Sequence, residues 1–331
     1  MKGLGVKIIG IGSFLPGEPV SNEELSARLN LDFNVEMVRH KVGIHTRHIA
    51  SDEIATSHIA AGAAKIALLR AGITAQDLDR ILLGTSTPDY TNTAASCSVQ
   101  FLLGANCPVG DTSASCAGFI YALDHGIRLI QTGLKYVCVI GADTKTRFVR
   151  KDDPVFCPIF GDGGGAVILA ACDDDAGFMV SELFADGSGL KNIYVPAGGS
   201  VMPASIETVT NGLHGTVMTV SGKKMVEISI NLMADIALKA CSKYGIHPNA
   251  VDIFIPHQAN MIIMKGTAQK LGIDISKMEI TIDKAANSIA GTLPITFDHA
   301  FTTGKLTSGK IVLFVTAASG YAGGAAIYKV P

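Results

Sequence analysis

The segment Gly72-Ile-Thr-Ala-Gln-Asp-Leu-Asp79-Arg-Ile-Leu-Leu83 decides the fold, because the chain carries it twice. It returns 173 residues later as Gly245-Ile-His-Pro-Asn-Ala-Val-Asp252-Ile-Phe-Ile255, with the seven-residue step from Gly to Asp preserved. In each copy a helical pattern stops at the Gly, the residue that most easily takes the left-handed turn ending a helix. The Asp then leads into an apolar run of strand length. At similar offsets residues 136–140 match 311–315, and Gly164-Gly165-Ala166 resembles Gly323-Gly324-Ala325. Several phrases recurring in one order predict an internal duplication, with halves at 1–172 and 173–331.

Short apolar runs alternate with helical patterns along the whole chain, which predicts α/β layers with mixed sheets. Strands are expected at 6–10, 80–83, 109–112, 136–140, 166–170, 178–183, 216–220, 252–256, 278–281, 311–316 and 325–329. Helices are expected near 56–70, 93–103, 117–132, 225–243, 260–271 and 289–302. The stretch 186–215 is rich in Gly, Pro and Ser and reads as an inserted surface segment, a candidate lid.

Composition narrows the function. Of 331 residues, 48% are hydrophobic and 17% charged, which excludes a disordered chain. A net charge of −2 leaves no basic footprint for nucleic acid. Mean hydropathy is positive at +0.35. The excess comes from Ala and 36 glycines, and no apolar run reaches the ~20 residues of a spanning helix, so membrane insertion is not expected. The opening MKGLGVKIIGIGSFLPGE reads as a first strand and not as a signal peptide, since Pro16 interrupts a short apolar stretch. Seven cysteines, at 97, 107, 116, 138, 157, 172 and 241, include no C-x-x-C pair. That odd set suggests reduced thiols in a cytoplasmic protein, with neither a disulfide framework nor a metal site.

One cysteine stands apart by its surroundings. Cys116, in Asp111-Thr-Ser-Ala-Ser-Cys116-Ala-Gly118-Phe119, sits where a buried strand meets a helix. Unpaired N–H groups at a helix start favour a thiolate and predict a lowered pKa. Small neighbours leave room for a substrate. His257 follows the apolar run Ile253-Phe-Ile-Pro256 and precedes a helix, the strand end where α/β sheets gather ligands. A lone His is also commonly a surface or satisfied core residue. Asn287, between a strand and a helix, reads either as an N-cap or as a site residue; by the duplication it falls near the place of Cys116. A pseudo-twofold would bring the three loop ends together.

The segments DTSASCAGF (111–119), FGDGGGAVIL (160–169) and IPHQAN (255–260), with the Asn287 loop, resemble the β-ketoacyl-ACP synthase III family over essentially the whole chain, from Lys7 to Val330. The resemblance implies a thiolase-like fold, two duplicated mixed-sheet halves packed as αβαβα layers. It implies Cys116 as acylated nucleophile and His257 and Asn287 as the partners that stabilise an enolate. Backbone amides of Cys116, Ser319 and Gly320 would hold the oxyanion during acyl transfer. The reaction implied is acyl transfer from a thioester starter to Cys116, then decarboxylative Claisen condensation with a malonyl thioester, in fatty-acid or secondary-metabolite biosynthesis. Acyl carrier protein or coenzyme A would present the thioesters, as substrates and not as a cofactor; no cofactor or metal is expected. The resemblance also implies a homodimer with residues near 85–110 at its interface.

Three positions depart from the family pattern. Met37 stands where members carry a Trp that stacks on coenzyme A, and the chain has no Trp. Ile262 replaces an Arg after the His-Gln-Ala-Asn run, and Pro154 another before the Gly-rich turn. Lys41, Arg150, Lys151, Lys265 and Lys270 are either compensating charges or solvated ones. The departures point to a starter delivered on a carrier protein or as a specialised thioester. Asn92, Phe156, Met218, Met225, Val226 and Asn260 are candidates for contact with substrate or carrier, together with Met37, Ile262 and Lys265. Three other readings stay open: an acyltransferase acting on an alcohol or amine without condensation, a Cys-His-Asn thioester hydrolase, and a non-catalytic partner subunit. The duplicated halves weigh against the hydrolase, and the intact Cys116 against the partner subunit.

Overall fold

The structure is a computed structural model that describes residues 3–172 and 175–331. Five strands form one sheet: β1 (Val6–Phe14), β2 (Arg80–Gly84), β3 (Val109–Thr112), β4 (Tyr136–Asp143) and β5 (Gly163–Ala171), in the order β1-β5-β4-β2-β3. Four form the other: β6 (Gly177–Ala185), β7 (Ile253–Pro256), β8 (Ile311–Ala318) and β9 (Ala322–Lys329), in the order β7-β8-β9-β6. In the first sheet β5 is antiparallel to β1 and β4, while β2 is parallel to β4 and β3. In the second, β9 is antiparallel to β6 and β8, while β7 is parallel to β8. Order and sense therefore repeat, and the repeated phrase of the sequence is the approach to β2 and to β7. Met1 and Asp173, the expected first residues of the two halves, lie outside the described residues.

The alternation of side chains builds the layers. Cys138 and Ile140 of β4 face α1 (Thr56–Ala71) and α2 (Ala95–Leu103), packing with Ile59, Ala63 and Ala67. Val137 and Val139 face the opposite way, into a central layer made by α3 (Gly118–Gln131) and α6 (Thr292–Thr302). That layer also receives Val312 and Phe314 of β8, so one core joins both sheets. Leu313 and Val315 face α4 (Gly222–Tyr244) and α5 (Met261–Leu271). The five layers read αβαβα. Strands covered on both faces must be apolar at every position, which is why they appear in the sequence as unbroken runs.

Two expected strands differ. Residues 278–281 make a single parallel bridge, from Met278 to Phe254. The backbone then leaves the ladder because the Gln258 side-chain oxygen accepts from the Thr281 and Ile282 N–H groups instead. This segment lies where the repeat would put the partner of β3. The stretch 216–220 shrinks to Val217–Met218, paired with Ile193–Tyr194. The candidate lid thus holds one strand of a two-strand ribbon, Ile193–Tyr194, and the short helix Ile206–Thr210.

Candidate active site

Cys116 lies on a short 3-10 turn, Ser115–Ala117, between β3 and α3. Ser115, with φ +49°, turns the chain sharply just before it. The other half repeats this device: Ile289 has φ +54°, and the 3-10 turn Ile289–Gly291 runs into α6. The two turns pack against each other between the sheets. Ala290, not Asn287, occupies the structural place of Cys116, and Asn287 stands three residues before it. Among the described residues four non-glycines have positive φ, and Ser115, Ala286 and Ile289 are three of them. Strained backbone gathers where side chains must be aimed.

Asp143, at the end of β4, ties the two turns together. Its buried carboxylate accepts from the Ser86 N–H and from the hydroxyls of Thr85, Ser86 and Thr87. It also accepts from the Ala290 N–H at 3.0 Å, across the two halves. Burial pushes its carboxyl above the usual range, against these hydrogen bonds.

Cys116, His257 and Asn287 share the wall of one cavity of about 620 Å³. Burial pushes the Cys116 thiol up to about 11, opposed by the Ser115 hydroxyl, which donates to Sγ at 3.9 Å, and by Lys145. The lowered pKa expected from the helix start is therefore not what the site produces. The polar groups around the sulfur do not offset its loss of water.

His257 is buried, and burial alone pushes its imidazole down to about 3, so it is neutral at any ordinary pH. Its Nδ1 lies 2.7 Å from the Thr292 hydroxyl, which also reaches the Ile289 carbonyl at 3.1 Å. If that single hydroxyl hydrogen goes to Nδ1 and not to the carbonyl, the imidazole proton sits on Nε2. The Asn287 side-chain oxygen accepts from the Ile289 N–H at 3.0 Å, which commits the oxygen and leaves the Nδ2 hydrogens as the donors for the cavity. Asn287 is not an N-cap. That role belongs to Asn260, whose side chain accepts from the Ile263 N–H at the start of α5 while also lining the cavity.

Ser319 and Gly320, in the turn from β8 to β9, line the same cavity, as do Phe156, Met218, Met225 and Val226. Tyr321 anchors that turn to the candidate lid by exchanging backbone hydrogen bonds with Asp186 at 2.5 and 2.8 Å, and Asn192 donates to its hydroxyl. Met37, Asn92, Ile262 and Lys265 do not reach the cavity. Helical spacing turns Ile263 and Met264 inward and leaves Ile262 (47% exposed) and Lys265 outside. Met37 is 45% exposed on the short helix Val35–Met37, and Asn92 is exposed in the loop from β2 to α2. Thr292, Tyr321 and Lys145 also belong to this region and were not expected; a Lys just past an apolar run was the one signal in the sequence. Among the described residues no group of three or more His, Cys, Asp or Glu is placed to hold a metal ion.

Paired mixed sheets with a Cys, a His and an Asn on one cavity define a thiolase-type fold. A solved 3-oxoacyl-[acyl-carrier-protein] synthase III from Aquifex aeolicus VF5 superimposes with a TM-score of 0.89 at 31% identity, covering 98% of this chain and 100% of that one. A beta-ketoacyl-[acyl-carrier-protein] synthase III of Desulfitobacterium hafniense is 35% identical over 328 residues, 98% of each chain. One of Erythrobacter litoralis is 37% identical over 327 residues, covering 97% of this chain and 98% of its own. The family model for 3-oxoacyl-[acyl-carrier-protein (ACP)] synthase III matches residues 110–187, and that for its C-terminal part matches 241–330. The chain belongs to the 3-oxoacyl-[acyl-carrier-protein] synthase III family.

Proposed function

We propose that this enzyme is a ketosynthase that takes an acyl group onto Cys116 and condenses it with a malonyl thioester. The observation that carries the reading is the convergence of a thiol, a neutral imidazole and an oriented amide on one cavity. In the first step Cys116 Sγ attacks the starter thioester, and the donor thiol departs with the proton Cys116 gives up. Backbone N–H groups of Cys116 and of the Ser319-Gly320 turn would receive the oxyanion. In the second step the malonyl thioester loses CO₂, and the electrons of the broken bond form an enolate. His257 Nε2–H and Asn287 Nδ2–H donate to its oxygen. The enolate carbon then attacks the acyl-Cys116 carbonyl, the sulfur leaves, and a β-ketoacyl thioester is released. An imidazole pushed down to about 3 is a poor base but a good neutral donor, which suits the second step. No metal or redox cofactor enters this scheme.

The donor handle is read as a carrier protein. At the expected coenzyme A positions, Met37 and Ile262 present exposed apolar side chains in place of a stacking ring and a cation. A homodimer through residues near 85–110 is part of the same reading, supported by Phe101 and Tyr90, exposed at 84% and 67%. A cytoplasmic enzyme is proposed; among the described residues no helix is long and apolar enough to cross a membrane.

Separate His257→Ala and Asn287→Ala variants test the roles. Both should still acquire an acyl mass on Cys116, while malonyl decarboxylation falls by about 10²–10³. Normal condensation by both would overturn the assignment. Release of free acid with no carbon–carbon product would instead identify a hydrolase. Rapid acylation by free acetyl-CoA would remove the carrier-protein handle.

A further inference from the structure

One side of the cavity wall beside the nucleophile is apolar: Phe156, Phe160 and Ile289 form a cluster against which Met218 and Cys116 pack. A plain alkyl chain needs nothing else. Yet Lys145, 9% exposed, is set into that wall, its Nζ 5.5 Å from the Phe160 ring centroid. It is the one Lys, Arg, Asp or Glu among the described residues that line the cavity. Its ammonium donates to the Thr216 hydroxyl at 2.8 Å, and Thr216 passes its own hydrogen to the Phe148 carbonyl. None of the ion pairs formed among the described residues includes Lys145.

An ammonium has three hydrogens to donate, and a buried one without a charged partner is unfavourable. Asp143, the buried carboxylate that acts on it through space, makes no hydrogen bond to it; its oxygens accept from Thr85, Ser86, Thr87 and Ala290 instead. A Leu or Met would fill the same space without that penalty.

We propose that Lys145 receives a carboxylate at the far end of the acyl group held on Cys116, so that this chain takes a dicarboxylic acid monothioester as its starter. The inference rests on the condensing reading above and names the substrate class of that site. A carboxylate in the cavity supplies the missing charged acceptor, and the surrounding apolar wall strengthens the pairing by excluding water. The acyl group then spans two fixed points, the thioester at Cys116 and the ammonium at Lys145, with Phe156 and Met218 along its methylenes. Burial holds the Lys145 ammonium below its ordinary range, with Asp143 and Cys116 opposing; a bound carboxylate adds to that opposition.

The test uses pantetheine thioesters of succinate, of 4-methylpentanoate (its uncharged isostere) and of 4-oxopentanoate (a neutral acceptor). Acylation of Cys116 is followed by intact-protein mass. The wild-type enzyme should be acylated by the succinyl thioester at least about 10²-fold faster than by either neutral one. Lys145→Met should invert that order. Equal or faster acylation of the wild type by either neutral thioester would overturn the proposal, as would a Lys145→Met variant that keeps the succinyl preference. The wild-type ratio decides the matter even if the variant fails to fold. Acylation without preference removes this inference alone; no acylation by any of the three, repeated with the acyl groups on acyl carrier protein, removes the condensing reading with it.

Discussion

In the proposed reaction Cys116 would draw its reactivity from its surroundings, because burial leaves no preformed thiolate. A thiol pushed up to about 11 is protonated at neutral pH, and its thiolate fraction rises about tenfold per pH unit below that value. Its alkylation by iodoacetamide should therefore climb steadily from pH 7 to pH 10. A plateau reached near pH 7 would show a thiolate already formed at rest. His257 meets Thr292 in a similar way: a hydroxyl 2.7 Å from Nδ1 that donates there places the imidazole proton on Nε2, the tautomer the condensing reading needs. Thr292→Val keeps the shape and removes the hydroxyl. Decarboxylation should fall roughly 10-fold or more while acylation of Cys116 is kept, and Thr292→Ser should restore it. A loss of acylation in the Val variant would mean that the hydroxyl supports packing rather than the tautomer.

At the scale of elements, the proposed site exists because two strand-to-helix junctions, one from each half, approach the five-stranded sheet unusually closely. A Cβ on Gly84 would stand 2.2 Å from the Gly118 carbonyl carbon, and one on Gly141 would stand 2.3 Å from the Ala290 carbonyl oxygen. These glycines in β2 and β4 let the 3-10 turns of the two halves sit against the sheet and against each other. Gly84→Ala forces backbone apart from backbone and should destabilise the fold by about 1–3 kcal/mol or more. It should also slow acylation, since Gly118 follows Cys116 by two residues. Gly110→Ala in β3, where nothing lies within 4 Å of the added carbon, is the matched control. Equal denaturation midpoints for the two variants would remove this account of how the nucleophile is positioned.

At the scale of the whole molecule, the two halves share the central core, and the Ile8 N–H donates to the Tyr328 hydroxyl across them at 3.2 Å. Beyond the single chain, the proposed homodimer predicts that Phe101→Glu yields a species of one-chain mass by light scattering. The wild type should show twice that mass; a wild-type monomer would remove the interface. The strands covered on both faces, the terminating glycines and the cysteine at a strand–helix junction were legible in the sequence, because each is a local pattern with a local cause. The break at 278–281 was not, since its hydrogen bonds go to a side chain, Gln258, some twenty residues away. The raised pKa of Cys116 was not, since it depends on which atoms exclude water from the sulfur. Local pattern alone carried the repeated α/β architecture and pointed to the three residues proposed for the site. Packing alone shows that Ala290 mirrors Cys116, that the Thr292 hydroxyl meets His257 Nδ1, and that Lys145 lines the cavity of Cys116. Those relations join residues far apart in the chain, and only packing brings them within reach of one another.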